Sequence, residues 1–504
     1  MKKMRSVLVQ LGVIAGGAGC GFPPLDKIAP REVKDLPVTA ARDLDLLFLV
    51  DDSPSMADKQ NNLAANFPRF IDVLSTLQGG LPNVHIGVAT SDMGTHGEDG
   101  QIGTAIPPLG MGGCSGFGKD GVLQVFGAAS QINGLFISDL GLPDGTRERN
   151  YTGNLTDVFA QMAHAGASGC AFEQHLSAVK RALTNPANTG FLRPDAYLGV
   201  IIIADEDDCS IEHATLLAND PTSISTLGLQ ASFRCTRFGV ACDQGGQTTD
   251  EMNQVGIKNQ CHPNDNSAYL AQVSDYATFL KSLKPNDPGK VIVAGIEGTI
   301  DPFEVELRGS TNPVPALAHS CVYIGGDGQP EVADPPIRTK FFLDQFPNRS
   351  TFQTICQQDL SGALQQIGEL LKTALSDACI EGKLADTDPK TPGPQYDCSV
   401  SVVVNQGQVN QTEQSLPLCT PEDATATNQP CWHLIVDEAN CQQLDLPKNL
   451  RDHLALKIEG LADLPSTGHV IASCTIVPTL GPAVSRQPRS DVRSGEGRSG
   501  LAVD

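Results

Sequence analysis

Two short acidic stretches hold the side chains best suited to chemistry. Asp51, Ser53 and Ser55 stand at alternate positions of Asp51-Asp52-Ser53-Pro54-Ser55, and Asp205 opens the run Asp205-Glu206-Asp207-Asp208. Carboxylate and hydroxyl oxygens are what hard divalent cations take, and Mg²⁺ keeps several waters and needs few protein carboxylates. Adjacent acids repel one another unless they are solvated or neutralised, and a bound cation neutralises them. Each stretch follows an apolar run, residues 44–50 (LDLLFLV) and 197–204 (YLGVIIIA). Both runs are continuous rather than alternating, as strands covered on both faces of a parallel sheet are. Open α/β sheets bind ligands at the carboxyl ends of such strands.

The elements that must position these residues are legible in outline. Residues 56–77 carry helical periodicity, 83–90 (NVHIGVAT) read as a second strand and 290–296 (KVIVAGI) as a fourth. Helices are expected over 155–165, 172–183 and 267–283, a short strand near 320–324, and a long helix over 352–378 with apolar residues at Leu360, Leu364, Ile367, Leu371 and Leu375. Strands alternating with helices give an α/β fold, a doubly wound and mostly parallel sheet, over residues 43–380. Two insertions interrupt it, the Gly-rich 91–152 and the polar 209–264, and both follow strand ends, where loops carry recognition. Residues 381–396 read as a linker. Residues 397–478 read as a small C-terminal disulfide-rich β module, and 479–504 as a disordered tail.

Composition narrows the class. The chain has 504 residues, 40% hydrophobic and 18% charged, with a formal net charge of −23. That charge opposes nucleic-acid binding, which needs cations against phosphate, and no nucleic-acid partner is expected. Fifteen cysteines with no CxxC pair point to disulfides in an oxidising compartment rather than to a zinc ribbon. Lys2, Lys3 and Arg5, the apolar stretch 6–15 and the small residues 16–19 form an export signal too short to span a membrane. The Gly-Ala-Gly-Cys end of that segment resembles a bacterial lipoprotein signal, with Gly17 where Leu is usual. The resemblance implies a signal peptide over 1–19, lipidation at Cys20 and a tether over 20–42. The only membrane contact would be a lipid anchor in the cell envelope, the outer membrane being favoured because Gly21 is not the Asp of inner-membrane retention. Removing Cys20 leaves an even set. Cys114, Cys170, Cys209, Cys235, Cys242, Cys261, Cys321 and Cys356 precede the linker, and Cys379, Cys398, Cys419, Cys431, Cys441 and Cys474 follow or adjoin it. Bridges are expected to stay within each set, with Cys235–Cys242 a plausible short-loop pair.

From about residue 43 to 378 the chain resembles a von Willebrand factor A-type domain with a metal-ion-dependent adhesion site. The order strand, Asp-x-Ser-x-Ser, helix, strand, helix, strand, Asp carries the likeness. The resemblance implies that Asp51, Ser53, Ser55 and Asp205 bind Mg²⁺ or Ca²⁺, with Mn²⁺ also admissible. It also implies that an open coordination position accepts a carboxylate from a protein partner. The family's Thr has no counterpart in residues 165–174 (AGASGCAFEQ); Ser168 is the substitute on offer, and Glu173 could reach the cation. The expected function is cation-dependent adhesion or protein binding without catalysis. The alternatives are a metal-assisted envelope hydrolase, with Glu206 or Asp207 as base, or a scaffold whose metal is only structural.

Other motifs weigh little. Gly116-Phe-Gly-Lys-Asp-Gly121 matches GxGxxG but neither follows a strand nor opens a helix, and Asp120 replaces the Ser or Thr that a P-loop needs. Neither HExxH nor GxSxG occurs. Asp92, Glu98 and Asp99 read as a solvated loop. Trp432, beside Cys431, reads as packing against a disulfide.

Overall fold

The structure is a computed structural model describing residues 30–37 and 43–477, apart from 78–79, 143, 286–287, 376–377, 406–409, 420–429, 439–440, 442, 444–445 and 461–467. The export signal with Cys20 and the tail 479–504 lie outside the described residues.

A seven-stranded sheet organises the larger part of the chain. Its strands are β1 (Asp43–Val50), β2 (Asn83–Thr90), β3 (Ile137–Gly141), β4 (Arg147–Arg149), β5 (Tyr197–Ile203), β6 (Val291–Glu297) and β7 (Ser350–Thr354). They lie in the order β7-β6-β5-β1-β2-β3-β4. The first five of that row are parallel, and β3 and β4 add an antiparallel edge.

The helices that flank the sheet are α1 (Ala57–Ser75), α2 (Leu155–Ala163), α3 (His175–Thr184), α4 (Val273–Ser282), α5 (Ile337–Asp344) and α6 (Ser361–Leu375). The two-residue period of β1 sorts them. Leu44, Leu46, Phe48 and Val50 pack with α1, α2 and α6, while Leu47 and Leu49 face the layer of α3, α4 and α5. On the first face Phe48 lies 5.8 Å from Phe67, 5.9 Å from Phe70 and 4.7 Å from Phe159, so the stripe Leu63, Phe67, Phe70, Leu74 of α1 seats on the sheet.

Several segments differ from the sequence expectation. The long helix begins at Ser361, because Ser350–Thr354 pairs with β6 instead. The strand Cys321–Ile324 forms a hairpin with Pro330–Ala333 outside the main sheet. The polar insertion contributes strands Val240–Gln244 and Gly256–Pro263, which join Phe303–Arg308 and Val314–Leu317 in a second sheet.

All fourteen cysteines after Cys20 are paired, and the two sets do not mix: Cys114–Cys170, Cys209–Cys235, Cys242–Cys261 and Cys321–Cys356, then Cys379–Cys441, Cys398–Cys474 and Cys419–Cys431. The expected Cys235–Cys242 pair is wrong. Cys242 and Cys261 face each other across an antiparallel hairpin, with Cα atoms 3.9 Å apart, whereas Cys235 lies on the helix Phe233–Gly239 and reaches Cys209. Seven bridges mark an extracellular or envelope protein. Among the described residues no helix is long and apolar enough to cross a membrane.

Residues Arg31–Pro37, expected within a tether, form the edge strand of the C-terminal module. They pair antiparallel with Gly468–Thr475, which pairs in turn with Cys398–Val404. Arg31 secures the pairing through Asp397 (2.7 Å) and Ser473 (2.8 Å). A second sheet of Ala378–Cys379, Leu454–Glu459 and Cys431–Val436 packs on the first through Val400, Val402, Trp432, Leu456 and Val470.

Candidate metal centre

After β1 the chain moves to β2 on one side, and later returns to β5 on the other. The carboxyl ends of β1 and β5 therefore form the point at which the strand order reverses, the place where such sheets leave a crevice. Asp51 and Asp205 stand at these two ends, and the Asp51 N–H donates to the Ile203 carbonyl at 2.9 Å. Pro54 opens a single 3₁₀ turn (Pro54–Met56) that leads into α1, holding Ser53 and Ser55 over the strand end.

The side chains form a chain of oxygens. Ser53 Oγ donates to Asp51 Oδ2 at 3.2 Å, Ser53 and Ser55 hydroxyls lie 3.0 Å apart, and Ser55 Oγ donates to Asp205 Oδ1 at 3.1 Å. Asp51 Oδ1 accepts the Ser53 N–H at 2.8 Å and the Ser91 hydroxyl at 2.9 Å. Asp51, Ser53 and Asp205 are buried, while Ser55 is exposed and opens the cluster to solvent. Oxygen ligands about 2.1 Å from a six-coordinate cation stand about 3.0 Å apart at neighbouring vertices, so these spacings fit a hard cation. Among the described residues no group of three or more His, Cys, Asp and Glu side chains is arranged to hold a metal ion. The donor set here is two carboxylates with two hydroxyls.

Negative charge is crowded behind this cluster. Burial pushes the Asp51 carboxyl well above the usual range, and the nearby Asp205 charge pushes it further, against the Ser53 and Ser91 hydrogen bonds. Burial likewise raises Glu173, aided by Glu206 and Asp51, and raises Glu206, aided by Asp334, Asp205 and Asp51. Glu297, the last residue of β6, is raised by burial and by Asp207, Asp208 and Asp51; neither of its carboxylate oxygens has a hydrogen-bond partner among the described residues. Asp207 is pushed up to about 7 by burial, although the N–H groups of Arg338 and Thr339 at the start of α5 oppose the rise.

Three cations answer part of this charge. Lys59 is fully buried, with Nζ 3.0 Å from Asp205 Oδ2 and 2.9 Å from Glu331 Oε2. Burial alone would lower its pKa, yet Asp205 and Glu331 hold it above the usual lysine value. Lys119 pairs with Asp52, and Arg338 pairs with Asp208 at 3.0 Å.

The structure separates the two substitutes for a fifth ligand. Ser168 is exposed and its side chain makes no hydrogen bond to Asp51, Ser53, Ser55 or Asp205 among the described residues. Its loop closes on the site by backbone instead: Gly169 N–H donates to the Asp52 carbonyl at 2.7 Å, and a Cβ at Gly169 would meet Asp52 Oδ1 at 2.3 Å. Glu173 is 1% exposed, lies within electrostatic reach of Asp51 and Glu206, and its Oε1 has no hydrogen-bond partner among the described residues. A buried, unsatisfied carboxylate oxygen is costly unless something cationic answers it.

Sequence reasoning missed Lys59, Ser91, Glu297 and Glu331. Ser91 could have been found, since it directly follows β2 at the same sheet edge. Lys59 also donates to the Ser55 carbonyl at 3.0 Å, but its carboxylate partners lie 146 and 272 residues away in sequence. The acids after β2 are not free: Glu98 accepts from Ser177 (2.9 Å), Lys180 (2.6 Å) and Tyr276 (3.0 Å).

No family model matches the chain, and no curated protein does. Among solved structures, the chain is similar to a conserved hypothetical protein, BatB, from Bacteroides thetaiotaomicron, at 9% identity and a TM-score of 0.24, over 66% of this chain and 98% of that one. It is also similar to the pilus adhesin RrgA from Streptococcus pneumoniae, at 12% identity and a TM-score of 0.27, over 88% of this chain and 58% of that one. Both likenesses are too distant to bear on function.

Proposed function

We propose that this chain is an envelope lipoprotein of the von Willebrand factor A type. It would bind a protein partner through one divalent cation held by Asp51, Ser53, Ser55 and Asp205. The carrying observation is the run of 3.0–3.2 Å oxygen spacings from Asp51 through both serines to Asp205 at the switch point of the sheet. Asp51 and Asp205 supply charge, and Ser53 and Ser55 supply neutral oxygens. Glu173 lies within electrostatic reach of Asp51 but is not grouped with Asp51 and Asp205 as a third carboxylate ligand among the described residues. When bound, Mg²⁺, Ca²⁺ or Mn²⁺ supplies an open coordination position for a partner's carboxylate. Lys59 keeps Asp205 Oδ2 occupied and leaves Oδ1 facing the serines.

Thermal unfolding of the purified full chain, titrated with Mg²⁺, Ca²⁺ and Mn²⁺ beside Asp51→Asn, tests this. A cation at a hundred times its dissociation constant adds about 2.7 kcal/mol to stability. Wild type is expected to show that saturable rise. Asp51→Asn is expected to lose it while being more stable than wild type without cation, on the order of 1 kcal/mol, because a buried and repelled charge has gone. An equal rise in both proteins would mean nonspecific attraction to an acidic surface and would end the proposal.

A further inference from the structure

Resting on the cation-and-carboxylate reading above, we infer that the partner's carboxylate is flanked by aliphatic or aromatic side chains, received by a neutral apolar collar around the oxygen cluster. Three loops make the collar: residues 53–57, 102–118 and 164–172. Together they hold about thirty residues without a single Asp, Glu, Lys or Arg, where the chain-wide 18% would place about five.

The loops converge physically. The Ala171 N–H donates to the Gly112 carbonyl at 2.8 Å, and the Cys114–Cys170 bridge pins the second loop to the third. A Cβ on Gly112 would stand 3.3 Å from Ala171 Cβ and 3.7 Å from Pro54 Cγ, so residue 112 borders the serine loop. On this rim Leu109 is 64% exposed, Met111 75% and Phe117 49%. Three large apolar side chains are thus exposed within residues 109–117, and exposed apolar surface of this kind is where proteins receive partners.

Charge decides the occupant. The chain carries −23, so a second copy would bring its own acids against an acidic surface. The collar is where an anionic group can approach the cluster without meeting like charge. Apolar neighbours on the partner would also displace water from the rim, and a carboxylate interacts more strongly with a cation in a drier site. A carboxylate embedded among Leu- or Phe-like side chains matches both halves of the surface.

The test uses fluorescein-labelled pentapeptides with a central Asp flanked by Leu or by Ser, and central-Asn controls, binding to the full chain in Mg²⁺ by fluorescence polarisation. The Leu-flanked Asp peptide is expected to bind at least tenfold more tightly than the Ser-flanked one. Leu109→Ser with Met111→Ser should bring that ratio close to one and leave the Mg²⁺-induced thermal shift unchanged. Equal binding of the two Asp peptides to wild type, or a ratio that survives the double substitution, overturns the collar and spares the cation site. Loss of the Asp-over-Asn preference in wild type removes the cation reading itself, and the collar with it.

Discussion

His175 shows how buried charge sets the behaviour of this sheet edge residue by residue. It opens α3 fully buried, and neither ring nitrogen has a hydrogen-bond partner among the described residues. Burial pushes its pKa down to about 4, against the pull of Asp208 and Asp205. The unfolded chain therefore binds a proton near pH 6.5 that the native chain refuses until about pH 4, and native stability falls as pH drops through that window. The raised carboxyls Asp51, Glu173 and Glu206 act in the opposite sense, gaining protons in the native state as pH falls. Replacing His175 isolates its part. His175→Gln is expected to remove up to about 3 kcal/mol of the acid-induced loss, read as the difference between urea unfolding curves of variant and wild type at pH 7 and pH 4.5. Parallel pH dependences in the two proteins would show that His175 does not carry the sensitivity.

At the scale of elements, the loops are held more firmly than their glycine content implies. The Cys114–Cys170 bridge closes a loop of separation 56, and its sulfurs belong to the cluster that includes Phe172, Cys209 and Leu216. Chain-entropy reasoning gives such a cross-link up to about 4 kcal/mol. Cys114→Ser with Cys170→Ser should lower stability by a large part of that. It should also loosen residues 106–114 for proteolysis before global unfolding, since the bridge and the Gly112–Ala171 hydrogen bond join the middle of that loop to the site, while Thr95 holds its ends at Gly103 and Gly116. Cleavage confined to the fully unfolded state would show that the loop is held by other contacts. The sequence made β1, β5 and β6 legible because each is a nearly continuous apolar run, and β2 because Val84, Ile86 and Val88 alternate along it. It did not reveal β3, β4 or β7. Ile137–Gly141 and Arg147–Arg149 are short and lie in a Gly-rich stretch, and Ser350–Thr354 shows no apolar face until it is laid beside β6.

Across the whole molecule, the two ends of the described chain meet in one module. Arg31–Pro37 supplies the edge beside Gly468–Thr475, and Glu32 caps the Glu381 and Gly382 N–H groups at 2.8 and 2.7 Å. Trp432 is the only tryptophan and sits in this module's core, so its fluorescence reports on the module alone. Deleting residues 31–37 should lower the Trp432 unfolding midpoint by several degrees and leave the cation-dependent stability of the sheet domain as it was. An unchanged Trp432 transition would mean that the edge strand contributes nothing to the fold.

By itself the sequence determined the order of strands and helices around the site. It also determined the placement of Asp51, Ser53, Ser55 and Asp205 at strand ends and the division of cysteines into two closed sets. Those properties follow from local periodicity, from the abrupt change of residue type where an apolar run ends, and from parity. Only the tertiary structure decided that Lys59 neutralises Asp205, that Glu173 is buried within electrostatic reach of Asp51 while Ser168 is exposed, which cysteines bond, and that the segment before the sheet domain completes the module after it. Each of these is a contact between residues far apart in the chain. Packing brings such partners together, and neither leaves a trace of the other in its own neighbourhood.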